Sequence, residues 1–193
     1  MRLRTSVAAV GIAAVLGFTL AGCFSTSSPP PTEEESAPPA ISAEPATGEL
    51  ITGTGYSLNA PEGWAVPPDA PPSADIFVVA EEADAAGFID SVNVLLGRAS
   101  GEPLTAIETN GVAYLEGVGG TEVQVRPRVT VAGTESAHLS AQLSRSGISY
   151  WTEQYLVIEA GIAYTVTFSF GETVSLEDRE ALAESVLATW TWA

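Results

Sequence analysis

Three segments of the chain alternate apolar and polar residues with a period of two. Glu122 to Val131 reads EVQVRPRVTV. Val123, Val125, Val129 and Val131 fall on one face, and Glu122, Gln124, Arg126, Arg128 and Thr130 on the other. Ser136 to Ser144 sets Ala137, Leu139, Ala141 and Leu143 against Ser136, His138, Ser140, Gln142 and Ser144. Ile162 to Phe170 sets Ile162, Tyr164, Val166, Phe168 and Phe170 against Ala163, Thr165, Thr167 and Ser169. This pattern predicts strands with one face on a core and one face in water or against a partner. Pro127 falls on the apolar side, so its strand is expected at an edge or with a bulge. Further strands are expected at 55–59, 75–81, 91–98 and 150–159, with Gly161 turning a hairpin between the last two long strands.

Two segments have helical spacing. From Leu176 to Ala188, Leu182, Val186 and Trp190 recur every four residues, with Leu187 beside them. Ser175 is placed to cap this helix, with Asp178 three residues on. Leu104 to Glu116 puts Leu104, Ile107, Gly111 and Leu115 on one face behind Pro103. Asn110-Gly111 is also a hairpin dipeptide, so a hairpin is the alternative there. Three strands, a helix, four strands and a helix predict an α+β fold: an antiparallel sheet of about six or seven strands with helices packed on it.

The N-terminus is of another kind. Arg2 and Arg4 precede an apolar stretch, Val7 to Leu20, as in a secretory signal peptide. The stretch is shorter than the ~20 residues that cross a bilayer. Leu20-Ala21-Gly22-Cys23 follows, and Cys23 is the only cysteine. These four residues resemble the lipobox of bacterial lipoproteins. The resemblance implies cleavage between Gly22 and Cys23 and a diacylglyceryl thioether on Cys23. A lone cysteine has no internal disulfide partner, and an unmodified exported thiol is a liability. Each buried methylene contributes ~0.8 kcal/mol, so two or three chains anchor stably where one does not. The reading places residues 1–22 as signal peptide and the protein on the extracytoplasmic face of a cell membrane, lipid-anchored through Cys23.

Residues 23–50 are rich in Ser, Pro, Thr, Glu and Ala, and Phe24 is their only aromatic. Such a segment buries too little apolar surface to order itself and reads as a tether. As a flexible coil it spans on the order of 30 Å, and at most ~80 Å if polyproline-like. Residues 51–193 remain for one globular domain.

Charge narrows the partners. The 193 residues carry a formal net charge of −17 and no lysine. Nucleic acid, which needs cationic contacts to phosphate, is excluded on this ground. The acidity itself is read as solubility.

Tyr56-Ser-Leu-Asn-Ala-Pro-Glu-Gly-Trp64 resembles the opening of PsbP-like domains, with an aromatic, a Pro and a Trp at that spacing. A helix running into Leu187-Ala-Thr-Trp190 resembles their close. Behind a lipobox and a tether, the whole resembles the LpqN-type lipoproteins of actinobacteria. The resemblance implies a PsbP-like α/β/α sandwich over about residues 50–193 and a non-enzymatic accessory or binding module of the cell envelope. It brings no catalytic residue. Pro61 and Trp64 are read as a turn and a core anchor.

Chemical motifs are few. The sequence has no G-x-S-x-G, P-loop or G-x-G-x-x-G. One His and one lipidated Cys do not make a metal site of those ligands, and no cofactor or metal is expected. A serine triad would need His138, which no partner carboxylate marks. Glu81, Glu82 and Asp84, and Glu177 with Asp178, lack the spacing of a calcium loop. The protein is therefore expected not to be an enzyme. Arg126 and Arg128 share a strand face, and His138 falls on the matching face of the next strand. Together they form a candidate cationic contact for an anion or partner; cross-strand pairing with Glu122, Glu135 or Glu153 is the alternative. Trp64, Tyr150, Trp151, Tyr155 and Trp192 are read mainly as core, with a groove lining as the alternative. Three functions follow: an adaptor for an envelope protein, a lipid or small hydrophobic ligand carrier, and, least favoured, an envelope hydrolase.

Overall fold

Three two-residue turns organise the largest part of the fold. Ala132-Gly133, Ser146-Gly147 and Ala160-Gly161 each have positive φ at both residues. That is the conformation of the tight turns whose twist matches paired strands. They join four long strands into a meander. A computed structural model describes residues 38–193, within one compact unit from Ser36 to Ala193. The expected signal peptide, Gly22, Cys23 and the first part of the tether lie outside the described residues.

The elements in order are β1 (Leu50–Gly53), β2 (Tyr56–Asn59), β3 (Trp64–Ala65), β4 (Ile76–Ala80), β5 (Ser91–Arg98), α1 (Leu104–Gly117), β6 (Thr121–Val131), β7 (Thr134–Arg145), β8 (Ile148–Glu159), β9 (Ile162–Gly171), α2 (Leu176–Leu187) and β10 (Thr191–Trp192). A seven-stranded sheet has the order β3-β4-β5-β9-β8-β7-β6, and its strand pairs are antiparallel. A small sheet, β1-β2-β10, brings the last strand back beside the second. The fold is α+β, as the periodicities predict. Residues 104–116 are helical: Gly111 approaches the Leu139 side chain so closely that a Cβ there would collide with it. The Ser175 hydroxyl caps α2, accepting from the Asp178 amide at 3.2 Å.

The main core lies on one face of the large sheet, here called the inner face. Tyr155, Val157, Val166, Phe168 and Phe170 meet Val186, Leu187 and Trp190 from the C-terminal part, with Tyr56 and Leu58 from the small sheet. Tyr56 stacks on Trp190 with ring centroids 4.1 Å apart. Fully burying such side chains contributes about 1.5–3 kcal/mol each. On the other, outer face, Leu139 and Ala141 pack against Leu115 of α1.

Two expectations about faces are corrected. First, β6 does not keep its four valines together. Its ladder with β7 shifts register between Arg126 and Val129, around Pro127. Val129 and Val131 therefore enter the main core, while Val123 packs near α1 and Val125 is half exposed. Pro127 sits both in an edge strand and at a bulge. Second, the serine-rich face of β7 is not solvated. Residues 136–141 are all buried, because the sheet is covered on both sides at this strand.

The final part of the expected tether touches the domain. Ala40 bridges Thr130 in parallel, the Thr130 amide donates to the Pro39 carbonyl, and the Ala46 amide donates to the Ser185 carbonyl. Strands β1, β3 and β10 lie beyond the predicted set; each is only two to four residues long.

Candidate binding face

The three residues of the candidate cationic contact are placed in three different environments. Arg126 faces inward, and its Nε and Nη2 donate to Glu180 Oε1 on α2 at 3.0 and 2.8 Å. Arg128, inside the bulge, turns outward. It clamps Glu108 of α1 with two bonds of 2.6 and 2.9 Å and reaches Glu135 at 3.0 Å. The bond with Glu108, then that with Glu135, holds its guanidinium still more firmly in the charged form. His138 is 2% exposed. Its ring lies 4.0 Å from the Tyr155 ring, nearly parallel. The structure thus joins each of them to a carboxylate and does not gather them into a surface spot.

His138 belongs to a buried cluster centred on Glu153, which is fully buried on β8. His138 Nε2 lies 3.0 Å from Glu153 Oε2, and Ser140 Oγ donates to Oε1 at 2.9 Å. From α2, Arg179 Nε donates to the same Oε1 at 2.9 Å, and its guanidinium lies 4.1 Å from the Trp151 ring centroid. Burial pushes the Glu153 carboxyl up, but the bonds from His138, Arg179 and Ser140 outweigh it and hold it below the usual glutamate range. The sequence reading placed Glu153 only as a cross-strand alternative and did not mark Arg179. The arrangement is not that of a nucleophile: the serine donates to the carboxylate instead of the imidazole, under α2. Its effect is to tie α2 to the sheet.

The accessible site is on the outer face. Helix α1 covers β6 and β7 there, and among the described residues no helix lies over β8, β9 and β5 on this face. A hollow of about 440 Å³ runs along the open flank of α1, lined by Ile107, Gly111 and Tyr114 against Leu95, Leu139 and Leu156. A second hollow of about 540 Å³ continues from it, sharing Gln154 and Thr167. Its floor is polar, with Asn93, Thr152, Thr167 and Ser169, and its far wall is apolar. In that wall Phe88 stacks on Tyr150 at 5.1 Å. Together they form one trough of the size that binds ligands.

The chemistry of this trough departs from the rest of the domain. Among the described residues its only carboxylate is Glu102, at the α1 rim, and the second hollow has none. Arg145, exposed at the β7–β8 turn, lines the second hollow and makes no ion pair among the described residues. Thr152 is 1% exposed, and its hydroxyl has no hydrogen-bond partner among the described residues. Tyr150 is the one member of the five expected aromatics that lines the trough; Tyr155 is core and Trp151 faces Arg179. Among the described residues no group of three or more His, Cys, Asp or Glu could hold a metal ion, and no helix is long and apolar enough to cross a membrane.

No family model matches the chain, and no curated protein matches it. Solved structures do. LpqN of Mycobacterium tuberculosis, described as involved in cell envelope biogenesis, is 13% identical at TM-score 0.53, over 74% of this chain and 88% of that one. The cyanobacterial PsbP of Synechocystis sp. PCC 6803 is 15% identical at TM-score 0.51, over 75% of this chain and 92% of its own. The Ran-binding protein Mog1p of Saccharomyces cerevisiae is 13% identical at TM-score 0.53, over 76% and 96%. The chain spans 48% of the length of a Bacteroides thetaiotaomicron chain that it also matches, at TM-score 0.49. At these identities the likeness shows the fold, which is PsbP-like.

Proposed function

We propose that this chain is a non-enzymatic binding module, held at the extracytoplasmic face of a cell membrane by lipid on Cys23. Its recognition surface is the outer-face trough, and its partner is an envelope protein. The observation that carries this reading is the contrast between the two faces of one sheet. The inner face is filled by α2 and the small sheet. Among the described residues the outer face has no helix over β8, β9 and β5, and it is nearly free of carboxylates in an acidic chain. The Leu20-Ala21-Gly22-Cys23 motif supports the anchor. Structures of the same fold include one described as involved in cell envelope biogenesis and one as Ran-binding, which is in keeping with a binding role. A second reading, a carrier of a lipid or small hydrophobic ligand, is favoured by one feature, the apolar flank formed by Leu95, Ile107, Leu139 and Leu156.

Native mass spectrometry of the protein, gently extracted from its own membrane, tests the proposal. The wild type is expected to carry acyl mass that Cys23→Ser lacks, and a non-covalent adduct that Thr167→Trp, which fills the trough, loses. An unacylated wild type overturns the anchor. The absence of any adduct overturns the binding role.

A further inference from the structure

We infer that the trough receives one amphipathic α-helix of a partner protein, lying beside α1 and presenting a carboxylate to Arg145. This rests on the binding role proposed above and names its ligand.

The backbone of the floor decides the conformation. β8, β9 and β5 are interior strands, each already paired on both sides. They offer no free edge for an added strand. A segment crossing this face must therefore satisfy its own amides and carbonyls, which a helix does. The space agrees. Three neighbouring strands span about 10 Å from first to last, and a helix with side chains is about 10–12 Å across. α1 already covers the adjacent two strands, and Tyr114, 65% exposed, stands on its open flank. A second helix at an ordinary interaxial spacing of about 8–10 Å would complete that layer.

The side chains decide the chemistry. Apolar groups stand on both sides: Ile107 and Tyr114 on one, Phe88 and Tyr150 on the other. Between them run Thr165, Thr167, Ser169 and Gln154. A hydrocarbon chain laid there would strip water from these groups and return no hydrogen bond. A helix carrying apolar residues toward the walls and a polar residue toward the floor matches both. Among the described residues Arg145 is unpaired and the lining around it holds no carboxylate, and a carboxylate of the partner supplies the complementary charge.

The test uses the full lipidated chain in its own membrane, with the photo-crosslinker p-benzoylphenylalanine in place of Tyr114, an exposed aromatic at the rim of the trough whose exchange leaves the floor open. A second chain carries it at Glu177, which is exposed on α2 over the opposite face. Crosslinked peptides are sequenced. The expected result is a protein adduct from position 114 and not from 177, mapping to a helix-forming segment with an Asp or Glu. Arg145→Glu should reduce that adduct at least tenfold, and exchanging the mapped carboxylate for Arg should restore it. Circular dichroism of Arg145→Glu checks that the fold is kept, and Arg145→Gln serves as a second variant, expected to show a smaller loss. A lipid adduct alone overturns this inference and leaves the binding role standing. So does a protein adduct without a carboxylate, or one indifferent to both Arg145 variants. No adduct of any kind overturns both.

Discussion

Arg126 and Arg128, two residues apart on one strand, grip helices on opposite sides of the sheet: Arg126 holds Glu180 of α2, and Arg128 holds Glu108 of α1. In a regular strand their side chains would share a face. The bulge around Pro127 separates them. The edge strand thereby becomes the clamp between both helical layers.

Replacing Arg128 by Ser leaves Glu108, 8% exposed, without its bidentate partner. The expected loss is about 1–2 kcal/mol, after allowing for the partial exposure of the arginine. Arg126→Ser, whose pair is more exposed, should cost about half of that. Urea unfolding checks both. Equal, negligible losses would remove the clamp role. Partner binding should persist in the variants that remain folded, because neither arginine lines the trough.

The Glu153 cluster predicts a pH signature. Its carboxyl is held below the ordinary glutamate value of about 4.3 in the folded state. Its contribution to stability is therefore complete above about pH 4.3 and is lost as the pH falls through the lowered folded value. Glu184 works in the opposite sense: burial, then Glu180, raises its carboxyl. Its share is complete below about pH 4.3 and falls as the pH rises through the raised value. The readout is accordingly the difference between wild type and Glu153→Gln across the acid range. That difference should shrink toward low pH; parallel curves would show that Glu153 is not held this way. Arg179→Met, which keeps a stem over Trp151 but leaves Glu153 short of a partner, should cost about 3–5 kcal/mol at neutral pH.

Gly111 sets how closely α1 lies on the sheet. Alanine is the better helix former by about 1 kcal/mol, yet its methyl would meet Leu139. Gly111→Ala is expected to destabilise by about 1–3 kcal/mol through overpacking. In a Leu139→Ala background the same change should stabilise. A reversal of sign between the two backgrounds, measured by thermal unfolding, is the specific expectation.

Ser175 accepts from the Asp178 amide and also donates to the Asp178 carboxylate at 2.6 Å. Ser175→Ala should cost about 1 kcal/mol. Ser175→Asp should recover part of it only if Asp178 is also changed to Asn, since two facing carboxylates repel.

Much of the fold was legible because the long strands are unambiguous. Ile162 to Phe170 has period two with aromatics on one face, and it is buried in that order. Ser175 announces α2. The three X-Gly turns were also readable, since each separates two alternating runs by two residues, although only Gly161 was marked in advance. What misled was the assumption that polar means solvated. Ser136, His138 and Ser140 look like a water-facing row, but a buried glutamate ten or more positions downstream accepts from Ser140 and pairs with His138. Such pairing is visible only after the strands are in register. The bulge at Pro127 was foreseen as an alternative, but its consequence, one arginine per face, depends on which helix lies where. The trough was illegible for a related reason: it is defined by what α1 fails to cover, and no residue pattern encodes an uncovered strand. Short strands such as β3 and β10 take their conformation from neighbours and carry no period of their own.

The bond from Thr130 to the Pro38 carbonyl joins positions 92 apart in sequence, whereas β7, β8 and β9 are linked by two-residue turns. Loop closure makes the distant contact the slower to form. The hairpins should therefore assemble first, and the segment around Pro38–Ala46 should dock last, once β6 and α2 exist to receive it. On unfolding the order reverses, so amide exchange at Ala46 and Thr130 should open well before the centre of β8.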